Sequence, residues 1–391
     1  MIGIISKNNK PNRNCHATNV TYNQLGGYIY NSFTESALQL VTGATGHIGN
    51  VLVRNLLERG ERPRALVRPG KVPVALQGLD VEIVPGDVLD GDSLIRAMDG
   101  VDIVYHLAAK ISLASGLDPE TEQVNLDGTR NVIAAVRTAG VRRLVYASSI
   151  YALQVPETGV VDENLPFDPQ QAYGPYDRSK AAASLEVQKA AASGLEAVIV
   201  CPTAVAGPYD FQFSETGRGI LYNLPPGIKF YVDGAYDFVD VRDVAHGLAL
   251  AAEKGRGGET YILGGDRLTV REVSECIWEA AGGWHAGFWL TDWAADLAAG
   301  VLPWLVDDPL VTPYSLAAVR SNSHSATKRP STNLATARDR RGRPSRMPCA
   351  GGRSGRGKRA PSRKRLRERP RETAPSLRGI IAVEETHAIH H

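Results

Sequence analysis

Short apolar runs alternate with amphipathic stretches along residues 37–203. The runs end in glycine, proline or small polar residues, a pattern typical of buried strands. Six of them are predicted as strands: ALQLVTG (37–43), RPRALVRPG (62–70), VEIVPGD (81–87), VDIVYHLAA (101–109), RRLVYASS (142–149) and LEAVIVCPT (195–203). Between them the apolar spacing becomes helical, as in HIGNVLVRNLLERG (47–60) and VNLDGTRNVIAAVRTAG (124–140). The alternation predicts an α/β fold with a doubly wound parallel sheet, whose ligands bind beyond the carboxyl ends of the strands.

Three glycines connect the first predicted strand to the first predicted helix. They occupy positions 43, 46 and 49 of the stretch VTGATGHIGN. Gly43 would allow a tight turn, Gly46 a close approach of the backbone to a pyrophosphate, and Gly49 close contact between helix and sheet. An ordinary turn is the alternative, but a helix amino terminus directly after a strand favours phosphate binding. The stretch therefore predicts a Rossmann dinucleotide-binding domain.

Charged residues at the next two strand ends indicate which dinucleotide binds. The second strand ends at Arg68 without an acidic residue, and Arg64 lies on the same face of the strand. An arginine here accommodates the 2′-phosphate of NADP, whereas NAD needs a carboxylate, so NADP is predicted with NAD as the alternative. Asp87 ends the third strand and is placed for the adenine edge. Asp90 and Asp92 are better placed to cap the following helix.

Tyr176 and Lys180 are candidates for acid–base chemistry. They are four residues apart in YDRSK and so share one face of a predicted helix. A nearby ammonium should lower the phenol pKa from its usual value near 10, which suits a general acid or base. A surface pair is the alternative for this short motif. Ser148 and Ser149 end the fifth strand, where a hydroxyl could bind a substrate oxygen or cap a helix.

These motifs together resemble the extended short-chain dehydrogenase/reductases, the NAD-dependent epimerase/dehydratase family. Within it, ALVRP and HLAA are most similar to the dihydroflavonol-reductase-like and hydroxysteroid-dehydrogenase-like branches. The resemblance covers about residues 37–320 and rests on motifs in family order: TGATGHIG, GDVLD, YHLAA, VNLDGTRNV, VYASS, PYDRSK, CPTAVAGP and FVDVRDVA.

The resemblance implies a role for each matching residue. Ser149, Tyr176 and Lys180 fall on the catalytic positions, and Lys180 would also hold the nicotinamide ribose. Asp240 and Asp243 match the last cofactor-side motif. The cofactor site implied by the motifs and the strand ends comprises Tyr176 and Lys180 together with Gly43, Thr45, Gly46, His47, Ile48, Gly49, Arg68, Asp87, Val88, Leu107, Ala108, Ala109, Asn125, Pro202, Thr203 and Val205.

The chain is divided into four parts on this basis. The parts are a poorly ordered extension (1–36), a dinucleotide-binding domain (37–205 with 239–245), a smaller substrate-binding lobe (206–238 and 246–320) and a basic tail (321–391). Within the substrate-binding lobe, four aromatic residues and one arginine could contact a substrate: Tyr209, Phe211, Phe213, Arg218 and Tyr222.

Charge separates the tail from the body. Residues 320–391 contain 19 Lys and Arg but 5 Asp and Glu, a net charge of +14, whereas the rest carries −12. The tail lacks helical periodicity, which predicts disorder. Three explanations stay open: an arm for nucleic acid or another acidic surface, a passive extension, or a shifted reading frame near residues 322–326. The family is expected to end in a segment close to Gly-Tyr-Arg-Pro-Arg. Codons that can encode this segment, when read one base later, encode ATARD, which is the sequence of residues 335–339.

The predicted function is an NADP-preferring reductase or dehydrogenase acting on a carbonyl or secondary alcohol of a small molecule. The alternative is a nucleotide-sugar epimerase or dehydratase that recycles bound NAD. A nucleotide sensor is disfavoured by the intact Ser149, Tyr176 and Lys180, and nucleic-acid binding is not expected. The four cysteines form no CxxC pair, which favours a reducing cytoplasmic setting without structural metal, and no apolar run predicts a membrane span. Helices around 119–139 and 176–193 could form a homodimer.

Overall fold

The computed structural model describes residues 18–22, 28–32, 37–71, 73–112, 116–154, 159–170, 174–305 and 311–327. The α-helices are α1 His47–Glu58, α2 Gly91–Ala97, α3 Pro119–Glu122, α4 Gly128–Ala139, α5 Pro175–Ala192, α6 Glu215–Asn223, α7 Val241–Lys254, α8 Val270–Ala281, α9 Asp292–Leu305 and α10 Pro313–His324. The strands are β1 Thr18–Tyr22, β2 Tyr28–Ser32, β3 Leu38–Thr42, β4 Arg62–Val67, β5 Glu82–Pro85, β6 Ile103–His106, β7 Arg143–Ala147, β8 Gly159–Val161, β9 Ala197–Pro202, β10 Ala204–Ala206, β11 Gly227–Tyr231, β12 Ala235–Asp240, β13 Thr260–Leu263, β14 Asp266–Thr269, β15 His285–Trp289 and β16 Ser325–Thr327.

Seven parallel strands form the main sheet in the order β13-β9-β7-β6-β3-β4-β5. The six strands predicted from the sequence correspond to β3, β4, β5, β6, β7 and β9. The chain moves outward from β3 in one direction through β4 and β5, and in the other through β6, β7 and β9. This reversal beside β3 creates the crevice in which doubly wound sheets bind their ligands. The predicted fold class is confirmed.

Side chains of the main sheet alternate between two buried faces. In β7, Leu144 and Tyr146 pack into the core that includes α2, α4 and α5. Val145 and Ala147 pack into the opposite core, which includes α1 and α7. A strand buried on both faces needs apolar residues at every position, because successive side chains point in opposite directions. This explains why the predicted strands are continuous apolar runs.

Smaller sheets and the last helices lie outside the main sheet. β10, β12 and β14 form a three-stranded sheet, and β11 pairs with β15. The predicted substrate lobe began again at residue 246, but α7 packs in the main-sheet core and β13 joins that sheet. The boundary therefore moves to about residue 264. The four-residue run TYIL was too short to reveal a seventh strand. No helix among the described residues is long and apolar enough to cross a membrane.

Parts of the two predicted disordered ends have regular structure. β1 and β2 pair antiparallel within residues 18–32, where β-branched and aromatic residues favour strands. At the other end, α10 continues to His324, and β16 pairs with β8, with Ala326 opposite Val160. Disorder was thus the wrong expectation for these segments. The predictions for residues 1–17 and for the basic stretch 328–391 lie outside the described residues.

Cys201 is a free thiol buried in the main core. A reducing setting and location in the cytoplasm stay predictions.

His106 joins two strands and a helix through a fully buried network. Its Nδ1 lies 2.8 Å from Thr42 Oγ1, and its Nε2 lies 3.0 Å from Thr129 Oγ1. The Thr129 hydroxyl donates to the Asn125 carbonyl at 2.6 Å, so Nε2 must carry the proton that Thr129 accepts. Thr42 then donates to Nδ1. Burial lowers the pKa of His106 to about 3, which keeps the imidazole neutral.

This network should make the fold sensitive to acid. Because the folded pKa of His106 lies below the ordinary 6.5, the unfolded chain binds more protons between these values. The contribution of neutral His106 to the free energy of unfolding is fully present above pH 6.5. It is lost as the pH falls, by about 2 kcal/mol between pH 7.5 and 5. Urea unfolding of wild type and His106→Gln should show a shallower pH dependence in the variant. His285→Gln controls for loss of an imidazole, and equal slopes in all three proteins would contradict the assignment.

Candidate functional site

Predicted site residues lie in one row along the carboxyl edge of the main sheet. Because the strands are parallel, the residues that follow β9, β7, β6, β3, β4 and β5 meet at the same edge. In spatial order these are Thr203, Ser148 with Ser149, Leu107 with Ala108, Gly43, Arg68 and Asp87. Residues far apart in the sequence are thereby brought together in the order a long ligand such as a dinucleotide requires.

The glycine turn connects β3 to α1 with almost no space for side chains. Gly43 has a φ of +68°, and a Cβ atom there would lie 2.6 Å from the Ala108 amide nitrogen. A Cβ at Gly49 would lie 2.1 Å from the Gly43 carbonyl oxygen. Gly46 is the N-cap of α1 and receives no side-chain cap. The turn therefore leaves the helix amino terminus available to a phosphate, which fits a dinucleotide.

A loop from the second half of the chain packs on this turn. The Asn50 side chain donates to the Tyr209 carbonyl at 3.0 Å, and His47 Nε2 lies 3.1 Å from the Pro208 carbonyl. The Gln212 side chain donates to the Thr45 carbonyl at 3.2 Å. These contacts span about 160 residues of sequence. Periodicity and motif spacing could not have revealed them.

Leu107 and Ala108 form the wall beside the glycine turn. Their backbone amides donate to Thr42 Oγ1, each at 3.2 Å, so the His106 network also holds this wall. Ala109 follows in the same segment. Asn125, which the resemblance placed at the cofactor, is buried and bonds the backbone of Lys110 and the hydroxyl of Ser179. It therefore links the wall to the helix that carries Tyr176.

Arg68 and Arg64 differ in their availability to a ligand. Arg68 is exposed at the end of β4, and no side-chain hydrogen bond or ion pair ties it to the described residues. Arg64 instead donates to the carbonyls of Ala97 and Asp99, at 2.8 and 2.9 Å. The Arg64 guanidinium is thus bound to carbonyls at the end of α2, although Arg64 and Arg68 lie on the same face of the strand. Arg68 alone remains a candidate for the 2′-phosphate.

Asp87 is part of a small turn at the end of β5. Its Oδ1 accepts from the Leu89 amide at 2.9 Å. Asp90 caps α2 by accepting from the amides of Asp92 and Ser93, as the sequence predicted. Val88 packs in the core, so only its backbone can face a ligand. These positions fit contact with an adenine, which stays a prediction.

Ser149 and Tyr176 lie close enough for the Ser149 side chain to affect the pKa of Tyr176. Ser149 follows β7, and its hydroxyl also accepts from the Tyr151 amide at 3.2 Å, capping a short 3₁₀ turn. The capping alternative for this serine therefore holds, and its contact with a substrate oxygen stays a prediction. Tyr176 stands in the first turn of α5. Burial, and then the Asp177 charge, raise the pKa of Tyr176, while the hydrogen bond with Ser149 opposes the shift.

The expected lowering of the Tyr176 pKa by Lys180 is wrong for this structure. Lys180 Nζ donates to the Ala147 carbonyl at 2.5 Å and lies 4.6 Å from the centre of the Tyr146 ring. Burial lowers the pKa of Lys180 to about 7, with the Cys201 thiol acting in the opposite direction. Burial is the largest cause of both pKa shifts, and Lys180 is not among the groups that shift the pKa of Tyr176. Tyr176 is protonated at neutral pH.

Several other predicted residues pack into the protein. Ile48 and Val205 pack against the main core, Thr203 bonds the Leu263 carbonyl, and Pro202 ends β9. Arg218 pairs with Glu215 at 3.2 Å. The Tyr222 hydroxyl accepts from the Phe230 amide at 3.2 Å, and the Arg54 guanidinium lies 4.3 Å from the Tyr209 ring centre. Arg218, Tyr209 and Tyr222 therefore make packing contacts, as the ordinary alternative predicts.

A separate cavity lies among the C-terminal elements. It has a volume of about 730 Å³, and its charged lining consists of Asp233, Arg267, Arg271, Asp292 and Arg320. Arg320 pairs with Asp296 at 2.7 Å and Arg271 stacks on Trp289. The lining does not include Ser149, Tyr176 or Lys180. None of its residues belongs to the predicted site.

Comparison with known proteins shows the family to which the chain belongs. The model of the NAD dependent epimerase/dehydratase family matches residues 39–264, so the chain belongs to this family and is an NAD(P)-dependent enzyme. It is 41% identical over 243 residues to sterol demethylase protein B of Methylococcus capsulatus, which covers 62% of this chain and 74% of that protein. A dihydroflavonol 4-reductase-like protein of Synechocystis sp. is 39% identical over 238 residues, 60% of this chain and 69% of the relative.

A solved structure shows the same fold. The Thermus thermophilus UDP-glucose 4-epimerase in complex with NAD is 29% identical, with a TM-score of 0.57, covering 64% of this chain and 85% of that one. The predicted family, fold and oxidoreductase class are thereby confirmed. The roles of individual residues and the choice of cofactor stay predictions.

The glycine turn generates a stability prediction. Gly49→Ala should destabilise the fold by roughly 1–3 kcal/mol, because the new Cβ meets a backbone oxygen that no side-chain movement can relieve. Gly91→Ala is the matched control, since a Cβ at this helix position meets no atom within 4 Å. It should be neutral or stabilising by up to about 1 kcal/mol. Thermal unfolding of both variants measures the difference, and equal midpoints would contradict the packing argument.

Proposed function

We propose that the protein is an NADP-preferring reductase or dehydrogenase that interconverts a small-molecule carbonyl and a secondary alcohol. The observations that support the proposal are the positions of three residues near the end of β7: Ser149 follows this strand, Lys180 donates to the Ala147 carbonyl at its end, and Tyr176 precedes Lys180 by one turn of α5. Glycines without room for a Cβ favour a dinucleotide, and a hydroxyl–phenol pair beside it favours proton transfer to oxygen. The relatives named as a reductase-like protein and a sterol demethylase component agree with redox chemistry.

The raised pKa of Tyr176 suits the reductive direction. Bound NADPH would supply a hydride to the carbonyl carbon. Tyr176 would donate its proton to the carbonyl oxygen, so that hydride and proton together give the alcohol. Ser149 would orient that oxygen through its hydroxyl. Lys180, when protonated, would stabilise the phenolate left on Tyr176 and hold the nicotinamide ribose. In the reverse direction Tyr176 would take the proton back.

Two parts of the chain would hold the cofactor. The amino terminus of α1 would bind the pyrophosphate, and Arg68 would bind the 2′-phosphate that distinguishes NADP from NAD. Arg68 suits this role because it is exposed at the strand end while Arg64 is occupied by α2. The homodimer through the helices around 119–139 and 176–193 stays a prediction.

An NAD-dependent nucleotide-sugar epimerase or dehydratase is the second candidate. The match to a UDP-glucose 4-epimerase in complex with NAD favours it. Such an enzyme returns the hydride to the same substrate and so keeps its cofactor. NAD released from the purified, heat-denatured protein would support this candidate, whereas an empty protein that binds NADPH supports the reductase.

Tyr176→Phe tests the chemical step. The variant should bind NADPH as wild type does, since the phenol oxygen is offered to the substrate, but turnover should fall by at least about 100-fold. Fluorescence titration with NADPH and stopped assays with a panel of ketones and aldehydes measure the two quantities. Wild-type turnover in the variant would rule out Tyr176 as the proton donor.

Arg68→Ala tests the cofactor preference. Loss of the guanidinium should weaken NADPH binding on the order of tenfold and leave NADH binding unchanged, because only NADPH carries the 2′-phosphate. Arg62→Ala is the matched control, since Arg62 is exposed at the opposite end of the same strand. Equal losses for both cofactors, or an equal effect of Arg62→Ala, would remove the basis for NADP preference.

A further inference from the structure

The helix that carries Tyr176 is held by a residue from the far end of the described chain. Tyr314 Oη donates to Asp177 Oδ1 at 2.7 Å, across 137 positions of sequence. Asp177 directly follows Tyr176 in the first turn of α5. Asp177 is fully buried and Tyr314 is 6% exposed. The bond therefore connects α10 to the turn that places the proton donor.

The chemistry of both partners favours a persistent bond. A carboxylate removed from water needs donors, and Tyr314 provides one. The amino terminus of α5 also stabilises a negative charge at Asp177. Burial, followed by the Asp177 charge, raises the pKa of Tyr314, so this phenol stays a donor throughout the neutral range. Tyr151 and Tyr176 lie close enough to contribute to the same shift.

The start of α10 is capped by reciprocal hydrogen bonds between Thr312 and Ser315. The Thr312 amide donates to Ser315 Oγ at 2.8 Å, and the Ser315 amide donates to Thr312 Oγ1 at 3.1 Å. Farther along α10, Leu316 packs with Ala295 and Ala299 of α9. The helix therefore joins the C-terminal elements to the first turn of α5.

We propose that Tyr314 is a positioning residue for the reaction, acting through Asp177 to fix Tyr176 relative to the cofactor and substrate. The inference rests on the proposed function, in which Tyr176 is the proton donor. The proposal gives α10 a role in catalysis, although Tyr314 lies outside all the sequence motifs of the dinucleotide-binding domain. Tyr314 does not touch the reacting atoms itself.

The first test removes one hydroxyl and keeps the ring. In Tyr314→Phe, kcat should fall on the order of tenfold with NADPH affinity unchanged, because the donor is misplaced while the cofactor site is intact. Tyr261→Phe is the matched control: Tyr261 of β13 is also 6% exposed, and its hydroxyl accepts from the Arg256 amide at 3.1 Å, in the loop before that strand. Its kcat should equal that of wild type. Equal kcat in both variants would overturn the proposal.

A double-mutant cycle tests the route through Asp177. Asp177→Asn should lower kcat similarly, and Asp177→Asn/Tyr314→Phe should be no worse than the poorer single variant. Losses that multiply would show that Tyr314 acts independently of Asp177. If Tyr314→Phe does not fold, Asp177→Asn carries the test alone, and an undiminished kcat in that variant would overturn the proposal.

Hydrogen exchange separates this inference from the proposed function. Peptides covering residues 174–182 should exchange faster in Tyr314→Phe than in Tyr261→Phe, with or without a turnover assay. If wild type and Tyr261→Phe reduce no carbonyl, the proposed function fails, yet faster exchange still demonstrates the contact. Unchanged exchange in Tyr314→Phe would overturn the positioning role.

Discussion

The close approach of backbone to backbone at the glycine turn is the constraint on which the site depends. Gly43 faces the Leu107–Ala108 segment, and Gly49 faces the carbonyl of Gly43, at distances that exclude any side chain. This contact sets the separation between β3, α1 and the wall that follows β6. The bare amino terminus of α1 and the wall can then serve one ligand. A bulkier residue at either glycine would move all three elements.

Burial governs the chemistry next to this turn more strongly than charge pairing does. Lys180 is 3% exposed, and the pKa of its ammonium is lowered to about 7 even though it bonds the Ala147 carbonyl. The pKa of Tyr176 is raised for the same reason. The simple expectation that a nearby lysine acidifies the tyrosine neglected the cost of removing both groups from water. A protonated phenol beside a lysine that is partly neutral at pH 7 favours proton donation over proton abstraction.

Local pattern predicted the main sheet, which the structure confirms, and the residues of the candidate site, because both predictions depend on short stretches of sequence. The apolar runs, the glycine spacing and YDRSK each carry their signal within about ten residues. The short strand β13 carried no such signal, and its place in the sheet depends on pairing with β9. The engagement of Arg64 by α2 was equally hidden, because a strand's alternation shows which face a side chain shares but not which helix end meets it.

The features that the local sequence pattern did not predict depend on contacts between distant segments of the chain. The loop on the glycine turn, the His106 network and the bond from Tyr314 to Asp177 each join segments separated by 23 to 167 residues. Each side chain alone has an ordinary local interpretation: a core histidine, a loop glutamine, a helical tyrosine. Their consequence arises only when the parallel sheet brings the strand ends to one edge and α10 returns to α5. The residues that complete such a site therefore lie outside its motifs, at positions whose importance depends on the folded chain.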